Sequence, residues 1–208
     1  MAELIELGRH RSSRTASASP EVARTTLYFD LASPETYFVA ERVERRFGDA
    51  VWCPAVLWHG TQDGTIDPAH TMAAAERRAR ELRMPLVWPE RFPVPVPAAM
   101  RVATYAAERG CGSAFAIAAG RLAFCGGFDI GELDMVAEAA AAAGLEVSEA
   151  LIAARDLGRD EVIVAAGRAL GDGGMVLPAL SHDGRTYCGE PQITAALSGP
   201  ATAHTHVS

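Results

Sequence analysis

An apolar run followed at once by a serine–proline pair sets the first constraint on the fold. Residues 25–31 are rich in β-branched and aromatic side chains and predict a buried strand. Ser33 then suits a helix cap and Pro34 the first helical position. Apolar residues recur at helical spacing up to Gly48, and residues 51–57 predict a second strand. The chain therefore opens as strand–helix–strand, which a right-handed crossover folds into a parallel pair.

The C-terminal part of the chain predicts a hairpin flanked by helices. An Asp-Gly pair at 183–184 separates the apolar runs 175–180 and 185–188, and this pair is the strongest short hairpin signal. A helical pattern over 160–170 precedes the hairpin, and another over 190–197 follows it. The order of elements here is helix–strand–strand–helix.

The middle of the chain keeps a helical pattern, so it predicts an insertion into an α/β core. Removing it leaves β-α-β followed by α-β-β-α, which is the thioredoxin-like arrangement. We therefore expect an α/β, thioredoxin-like fold with a large all-helical insertion. The predicted regions are a disordered arm over 1–24, a thioredoxin-like domain over 25–66 and 156–198, the helical insertion over 67–155, and a flexible tail over 199–208.

Two local patterns lie inside the predicted insertion. Residues 84–97 contain five prolines and predict an extended connector, since proline disfavours both helix interiors and central strands. Asp129 and Glu132 have the spacing of a capping box and predict the start of a helix at Leu133.

Composition narrows the function classes. The chain has 208 residues and a formal net charge of -7, which argues against general binding to a phosphate backbone. The sequence contains no apolar run of roughly 18 residues, the length that a membrane span needs, and no secretory h-region. We expect no nucleic-acid partner, no membrane partner and a cytoplasmic location. The four cysteines form no CxxC pair and no zinc-type cluster, so we expect free thiols and no metal.

The start of the first predicted helix carries a resemblance. Residues 27–37 read LYFDLASPETY, which resembles the FYFD strand and SPxSY helix start of 2-hydroxychromene-2-carboxylate isomerases and kappa-class glutathione transferases, within the DsbA superfamily. The order and spacing of further segments extend the likeness over roughly residues 25–198. These segments are 54–57, 77–79, 84–86, 99–103 and 183–189.

The resemblance implies a role for Ser33. A helix N-terminus stabilises a thiolate, and DsbA-like enzymes place a reactive cysteine there. This chain has Ser33 at that position and Thr36 three residues later, so it lacks a thiol to begin disulfide exchange. In the isomerase family the serine holds the sulfur of bound glutathione, which predicts Ser33 as the catalytic residue. The alternative is that Ser33 is only a helix cap.

The resemblance also implies a set of cofactor-binding residues. The Leu177–Pro178 bond is expected to be cis, to face the first helix, and to offer the backbone of Leu177 to a ligand. The segment at Gly189 and Glu190 matches the family's cofactor-binding region, where an aspartate helps to bind the γ-glutamyl amine. Proline stands at that aspartate position here, so Glu190 is predicted to supply the carboxylate one residue early, or else only to favour the positive end of the last helix.

Two further residues have both a functional and an ordinary interpretation. Glu35 is a candidate general acid or base beside Ser33, or a first-turn glutamate that favours the helix dipole. Arg101 is a candidate clamp for an acidic substrate, or a solvated helix arginine.

The leading functional hypothesis is a thiol-dependent isomerase or transferase that acts on an aromatic or apolar electrophile. Its expected cofactor is glutathione or another low-molecular-weight thiol, and its expected partner is a small-molecule substrate, with a homodimer left open. The rival hypothesis is a redox-inactive thioredoxin-fold protein that binds a peptide or ligand beside Pro178. A dithiol oxidoreductase is disfavoured by the absence of CxxC.

Overall fold

The computed structural model describes residues 24–57, 68–171 and 175–198. Nearly all of the predicted arm over 1–24 and the whole of the predicted tail over 199–208 lie outside the described residues. Most of the loop after the second strand, residues 58–67, also lies outside the described residues.

Four short strands form one mixed sheet in the order β2-β1-β3-β4. Strand β1 pairs in parallel with β2 and antiparallel with β3, and β3 pairs antiparallel with β4. Leu27 at the centre of the sheet lies opposite both Trp52 and Leu180, and all three side chains are buried. The strands are β1 (Thr26–Phe29), β2 (Val51–Pro54), β3 (Ala179–His182) and β4 (Arg185–Cys188).

Eight helices complete the described part of the chain. One connects β1 to β2, six lie between β2 and β3, and the last follows β4, so the predicted β-α-β and α-β-β-α halves are both present. The helices are α1 (Pro34–Arg46), α2 (Pro68–Leu82), α3 (Pro97–Glu108), α4 (Gly112–Phe124), α5 (Leu133–Ala142), α6 (Val147–Arg155), α7 (Gly158–Ala169) and α8 (Gly189–Ser198).

One buried cluster joins the sheet to the helices. Helix α1 packs between α4 and α8, with contacts to both. The largest fully buried side chains come from β1, α1 and α4, and include Phe29, Phe38, Phe115 and Phe124. Each such burial stabilises the fold by about 1.5–3 kcal/mol relative to an exposed side chain. The insertion helices therefore share the core that holds α1 in place.

Helix α7 approaches the end of β2 through a glycine. A Cβ atom built on Gly167 would lie 1.9 Å from the backbone oxygen of Val56. No side chain fits in that space, so glycine is required for this close contact.

The predicted helix start at Leu133 is confirmed, but the predicted capping box before it is wrong. Glu132 is the N-cap residue but makes no side-chain cap bond. Both acidic side chains instead pair with Arg91 of the proline-rich connector, with Arg91 Nη2 2.6 Å from Asp129 Oδ2. The local pattern predicts that these carboxylates cap the helix, but in the folded chain they form ion pairs with an arginine that is distant in sequence.

Candidate functional site

Ser33 lies at the start of α1 and caps it. Its backbone is extended, with φ -96° and ψ 125°, and its Oγ accepts a hydrogen bond of 3.2 Å from the Glu35 N–H. The Ser33 N–H in turn donates to the Asp30 carbonyl oxygen over 3.2 Å. Capping uses a lone pair of the hydroxyl oxygen and leaves its hydrogen free to donate. The cap and the predicted thiolate contact are therefore compatible roles for the same side chain.

A cavity of about 390 Å³ opens beside Ser33. Its walls come from the starts of α1 and α8 and from one face of α2, and they include Glu35, His70, Arg78 and Glu190. The volume lies within the ordinary range for small-molecule pockets. Ionisable groups of both signs line it, so it suits a polar ligand.

Glu190 is the central charge of this region, and its side chain is only 1% exposed. Arg78 binds both of its oxygens, with Nε 2.5 Å from Oε2 and Nη2 2.9 Å from Oε1. Arg42 Nη2 lies 3.0 Å from Oε1, and the Thr194 hydroxyl also donates to Oε1. Burial by itself raises the pKa of Glu190, but these hydrogen bonds outweigh it and hold the pKa below its ordinary value.

The contacts of Glu190 bear on its predicted role. Four donor groups meet two carboxylate oxygens, which together offer about four acceptor sites. Three of these donors meet Oε1 and one meets Oε2, so Oε2 keeps capacity to accept. The contact of Glu190 with an amine of the cofactor therefore stays a prediction, and in the structure Glu190 joins the arginines of α1 and α2.

Glu35 lies between two helix starts. It occupies the first turn of α1, and its Oε2 accepts a hydrogen bond of 3.3 Å from the Glu190 N–H at the start of α8. It forms no ion pair with any described residue. Burial raises the pKa of its carboxyl above the ordinary value; the Glu190 N–H opposes this and the Glu190 charge adds to it. Glu35 is thus a half-buried carboxyl that can exchange a proton beside Ser33.

The Leu177–Pro178 segment reaches the same region through Gly189. The peptide bond between Leu177 and Pro178 is cis, and the buried Pro178 accepts a hydrogen bond of 2.8 Å from the Gly189 N–H. A Cβ atom on Gly189 would lie 3.7 Å from Glu35 Oε2. The backbone thus connects the predicted proline segment to the first turn of α1, although neither Leu177 nor Pro178 lines the cavity beside Ser33.

Arg101 has neither of its predicted roles. Its guanidinium binds Asp160 of α7 through two bonds of 2.7 Å and donates to the Ala154 carbonyl oxygen. Its side chain is 14% exposed, so it is not solvated either. Arg101 thus joins α3 to α7, and its charge is paired with Asp160.

The sequence did not predict the surroundings of three residues near the site. Arg42 and Arg78 look like ordinary surface arginines on amphipathic helices, and their partner Glu190 lies 148 and 112 residues away. Thr36 is 1% exposed, and its hydroxyl has no hydrogen-bond partner among the described residues. Only the folded chain reveals these arrangements.

The described residues contain no cluster of three or more His, Cys, Asp or Glu side chains that could hold a metal. The four cysteines, all of them in described segments, are free thiols. In the same segments no helix has the length and apolar character needed to cross a membrane.

Known structures show the same architecture. A 2-hydroxychromene-2-carboxylate isomerase superposes with a TM-score of 0.65 at 14% identity, covering 83% of this chain and 91% of its own. A probable DsbA oxidoreductase from Streptomyces coelicolor gives 0.64 at 21% identity, covering 84% and 88%. The chain has the DsbA-type thioredoxin fold. The predicted α/β class, with its thioredoxin-like sheet and helical additions, is confirmed.

The DsbA-type fold also appears in a cytosolic disulfide reductase, DsbM, from Pseudomonas aeruginosa, with a TM-score of 0.58 at 18% identity and coverage of 78% and 87%. No protein-family model matches this chain, and no curated protein matches it significantly. Because these identities are low, the likeness establishes the fold, while the activities in the names belong to those proteins.

Proposed function

We propose that this protein binds a low-molecular-weight thiol such as glutathione at the start of α1 and uses it to act on an aromatic or apolar electrophile, as an isomerase or a transferase. The observation that carries the proposal is the Ser33 hydroxyl, which caps α1, keeps a hydrogen to donate and lines a cavity of about 390 Å³. The name of one structural neighbour, 2-hydroxychromene-2-carboxylate isomerase, supports it.

The chemistry needs a thiolate that the chain does not supply at this point. A ligand thiolate at the start of α1 is stabilised by the unpaired N–H groups and the partial positive charge of the helix. Ser33 donates a hydrogen bond to the sulfur, and Glu35 offers a nearby carboxyl for proton exchange. Addition of the thiolate to an electrophile, rearrangement and release of the thiol constitute isomerisation, whereas retention of the new C–S bond constitutes transfer.

The location and partners follow as part of the same proposal. A cytoplasmic protein has access to the low-molecular-weight thiols of a reducing compartment. A small molecule is the proposed substrate, and a homodimer is the proposed assembly.

Replacing Ser33 by alanine tests the proposal. Loss of a hydrogen bond to a charged sulfur should weaken glutathione binding by about 1.5–3 kcal/mol, or about 10- to 150-fold in Kd. Loss of the cap should also lower the free energy of unfolding by about 1 kcal/mol. Calorimetric titration with glutathione measures the first effect, and thermal unfolding measures the second.

Two controls sharpen the test. S-methylglutathione has no ionisable thiol, so Ser33→Ala should leave its binding nearly unchanged. Ser148→Ala alters a serine in the first turn of α6, where the hydroxyl donates only to Glu146, and should leave binding of both ligands unchanged. If Ser33→Ala lowers only the melting temperature, Ser33 is a cap and the proposed thiolate contact is wrong.

One observation favours the rival function, a redox-inactive protein that binds an extended peptide. The half-buried Leu177 makes no backbone hydrogen bond to any described residue, so its N–H and C=O are available to a partner strand. Binding of unstructured peptides, weakened by Pro178→Ala and unaffected by glutathione, would support this rival over the thiol-dependent enzyme.

A further inference from the structure

A second cavity, of about 200 Å³, includes Asp30 of the turn from β1 into α1 in its lining, and it shares no lining residue with the cavity beside Ser33. Its apolar walls come from the chain after β2, the end of the proline-rich connector and α7, and they include Val56, Val96, Ile163 and Val164. A dry cavity of roughly 150 Å³ is known to hold one benzene molecule. The space beside the turn is therefore the size of one substituted ring.

Asp30 places one carboxyl group in this apolar cavity. Its Oδ1 accepts a hydrogen bond of 2.8 Å from the Ala32 N–H, which closes the turn. Its second oxygen has no hydrogen bond or ion pair with any described residue. Burial raises the pKa of the Asp30 carboxyl, and the Ala32 N–H opposes this shift only in part. The turn accounts for one oxygen of Asp30 and leaves the other available to a ligand.

The other charged groups at the cavity are already paired. Asp160 also lines it, but both of its oxygens are bound by Arg101 at 2.7 Å. Arg101 also donates to the Ala154 carbonyl oxygen. Among the described residues that line the cavity there is no cation for a ligand carboxylate, and the apolar walls disfavour an unpaired charge of either sign.

Two contacts fix the shape of this cavity. The sulfur of Met100, which is part of the lining, accepts a hydrogen bond of 3.4 Å from the Leu31 N–H. On the other wall, Gly167 lets α7 press directly on the backbone of Val56. The cavity is therefore held to the same turn that positions Ser33.

We propose that this cavity is a second binding site, which takes a small molecule of one ring whose polar substituent donates a hydrogen bond to Asp30. This inference goes beyond the proposed function and does not depend on it. It predicts discrimination against carboxylates, in contrast to the carboxylate in the name of the structural neighbour.

Benzamide and benzoate form a matched pair of probes, because they share a shape and differ in charge. Titrations followed by NMR at pH 7.5, without any thiol, should show that benzamide binds at least about tenfold more tightly than benzoate, since like charges repel strongly in a weakly screened site. Shifts should concentrate at Val56, Ile163 and Val164. Equal binding of benzamide and benzoate, or tighter binding of benzoate, would overturn the inference.

Two variants test whether the preference for benzamide over benzoate arises at Asp30 and in this cavity. Asp30→Asn keeps an oxygen for the Ala32 N–H but removes the charge, so it should bring benzoate binding to within about threefold of benzamide binding. Val164→Trp fills the cavity from a half-buried position and should abolish the binding of benzamide. Persistence of the tenfold preference in Asp30→Asn would refute the role of Asp30, even if Val164→Trp does not fold.

The result of the ring-probe titrations can be distinguished from the result of the glutathione titration that tests the proposed function. Glutathione binding depends on Ser33 and the larger cavity, whereas the ring probes are measured in the absence of thiol. Glutathione binding without ring binding overturns the present inference alone. Ring binding without glutathione binding overturns the thiol-dependent reaction and leaves the ring site in place.

Discussion

Two buried polar residues, Thr36 in α1 and Glu190 in α8, differ in how many hydrogen-bond partners they have. Glu190 and Thr36 are each only 1% exposed. Glu190 meets four donor groups, whereas the Thr36 hydroxyl meets no partner among the described residues. A paired buried charge is costly to break, but an unpaired buried hydroxyl is costly to keep. The two residues therefore predict opposite effects of mutation.

Replacing Glu190 by glutamine should lower the free energy of unfolding by about 3 kcal/mol at pH 7, because it leaves Arg42 and Arg78 without their buried anion. The pKa of Glu190 lies below the ordinary 4.5 in the folded state. Its stabilisation is therefore fully present above about pH 4.5 and is lost as the pH falls through the folded-state value. Urea unfolding from pH 7 to pH 3 should show this loss in the parent protein and a smaller one in Glu190→Gln.

Glu81 provides the matched control for Glu190. It pairs with the same Arg78 at 2.7 Å, but its side chain is 53% exposed. Glu81→Gln should cost less than about 1 kcal/mol, since solvent screens exposed pairs. Equal effects of the two substitutions would show that burial does not strengthen the contribution of Glu190.

Replacing Thr36 by valine should raise the free energy of unfolding by about 1 kcal/mol, because it removes a buried hydroxyl that lacks a partner. Thr104→Val is the control, since the Thr104 hydroxyl donates to the Met100 carbonyl oxygen over 3.1 Å. That substitution should lower stability by a similar amount. A loss of stability in Thr36→Val would mean that the hydroxyl has a partner in solution, such as an ordered water.

At the level of elements, the placement of α7 depends on one missing side chain. A Cβ atom at Gly167 would lie 1.9 Å from Val56 O and 2.8 Å from Val56 C, and both are backbone atoms that cannot rotate away. Gly167→Ala should therefore push α7 from the sheet and lower the free energy of unfolding by about 3 kcal/mol. Chemical denaturation measures this cost, and loss of benzamide binding would report the displaced wall.

Gly120 offers the same substitution without the clash. It lies in the middle of α4, and a Cβ atom there would be 3.5 Å or more from the atoms of Tyr37, which is ordinary contact. Gly120→Ala should be neutral or stabilising by about 0.5–1 kcal/mol, as expected within a helix. If both alanine substitutions lower stability, the cost of Gly167→Ala is a general consequence of adding a side chain to a packed helix and does not come from the contact with Val56.

Helix α2 has fewer buried residues than the other helices of the site. Only Ala75 and Ala79 are buried on this helix, so the ion pair of Arg78 with Glu190 is a large part of what fastens it beside the cavity. The polar wall of the site therefore depends on electrostatics more than on apolar burial.

At the level of the whole molecule, the fold of disulfide-exchanging enzymes is present without a thiol at the start of α1. Ser33 and Thr36 stand at that helix start, and the four cysteines are unpaired thiols elsewhere. We expect no catalysis of insulin reduction by dithiothreitol beyond the uncatalysed rate, because thiolate attack is required to begin exchange. Turbidity measurements with a dithiol oxidoreductase as positive control test this, and measurable turnover would contradict it.

The sequence by itself determined the elements and their order, because the signals are local. The apolar run before Ser33 predicts β1, the serine–proline pair predicts the start of α1, and the Asp-Gly pair at 183–184 predicts the hairpin that the structure shows. The strand order follows from these elements, since a strand–helix–strand unit and a hairpin have few ways to form one sheet. The position of Ser33 at the helix start was therefore predictable.

The tertiary structure alone decided which side chains meet at the site. Glu190 was predicted as a cofactor ligand or as a helix-start carboxylate, and the sequence did not predict its pairing with arginines 148 and 112 residues away. Arg101 was predicted as a substrate clamp or a surface residue, yet it binds Asp160. Local patterns cannot encode such pairs, because each depends on two helices being packed together by the apolar core. The ring-sized cavity at Asp30 has the same origin, since its walls come from segments that only the packing of α3 and α7 against the sheet brings together.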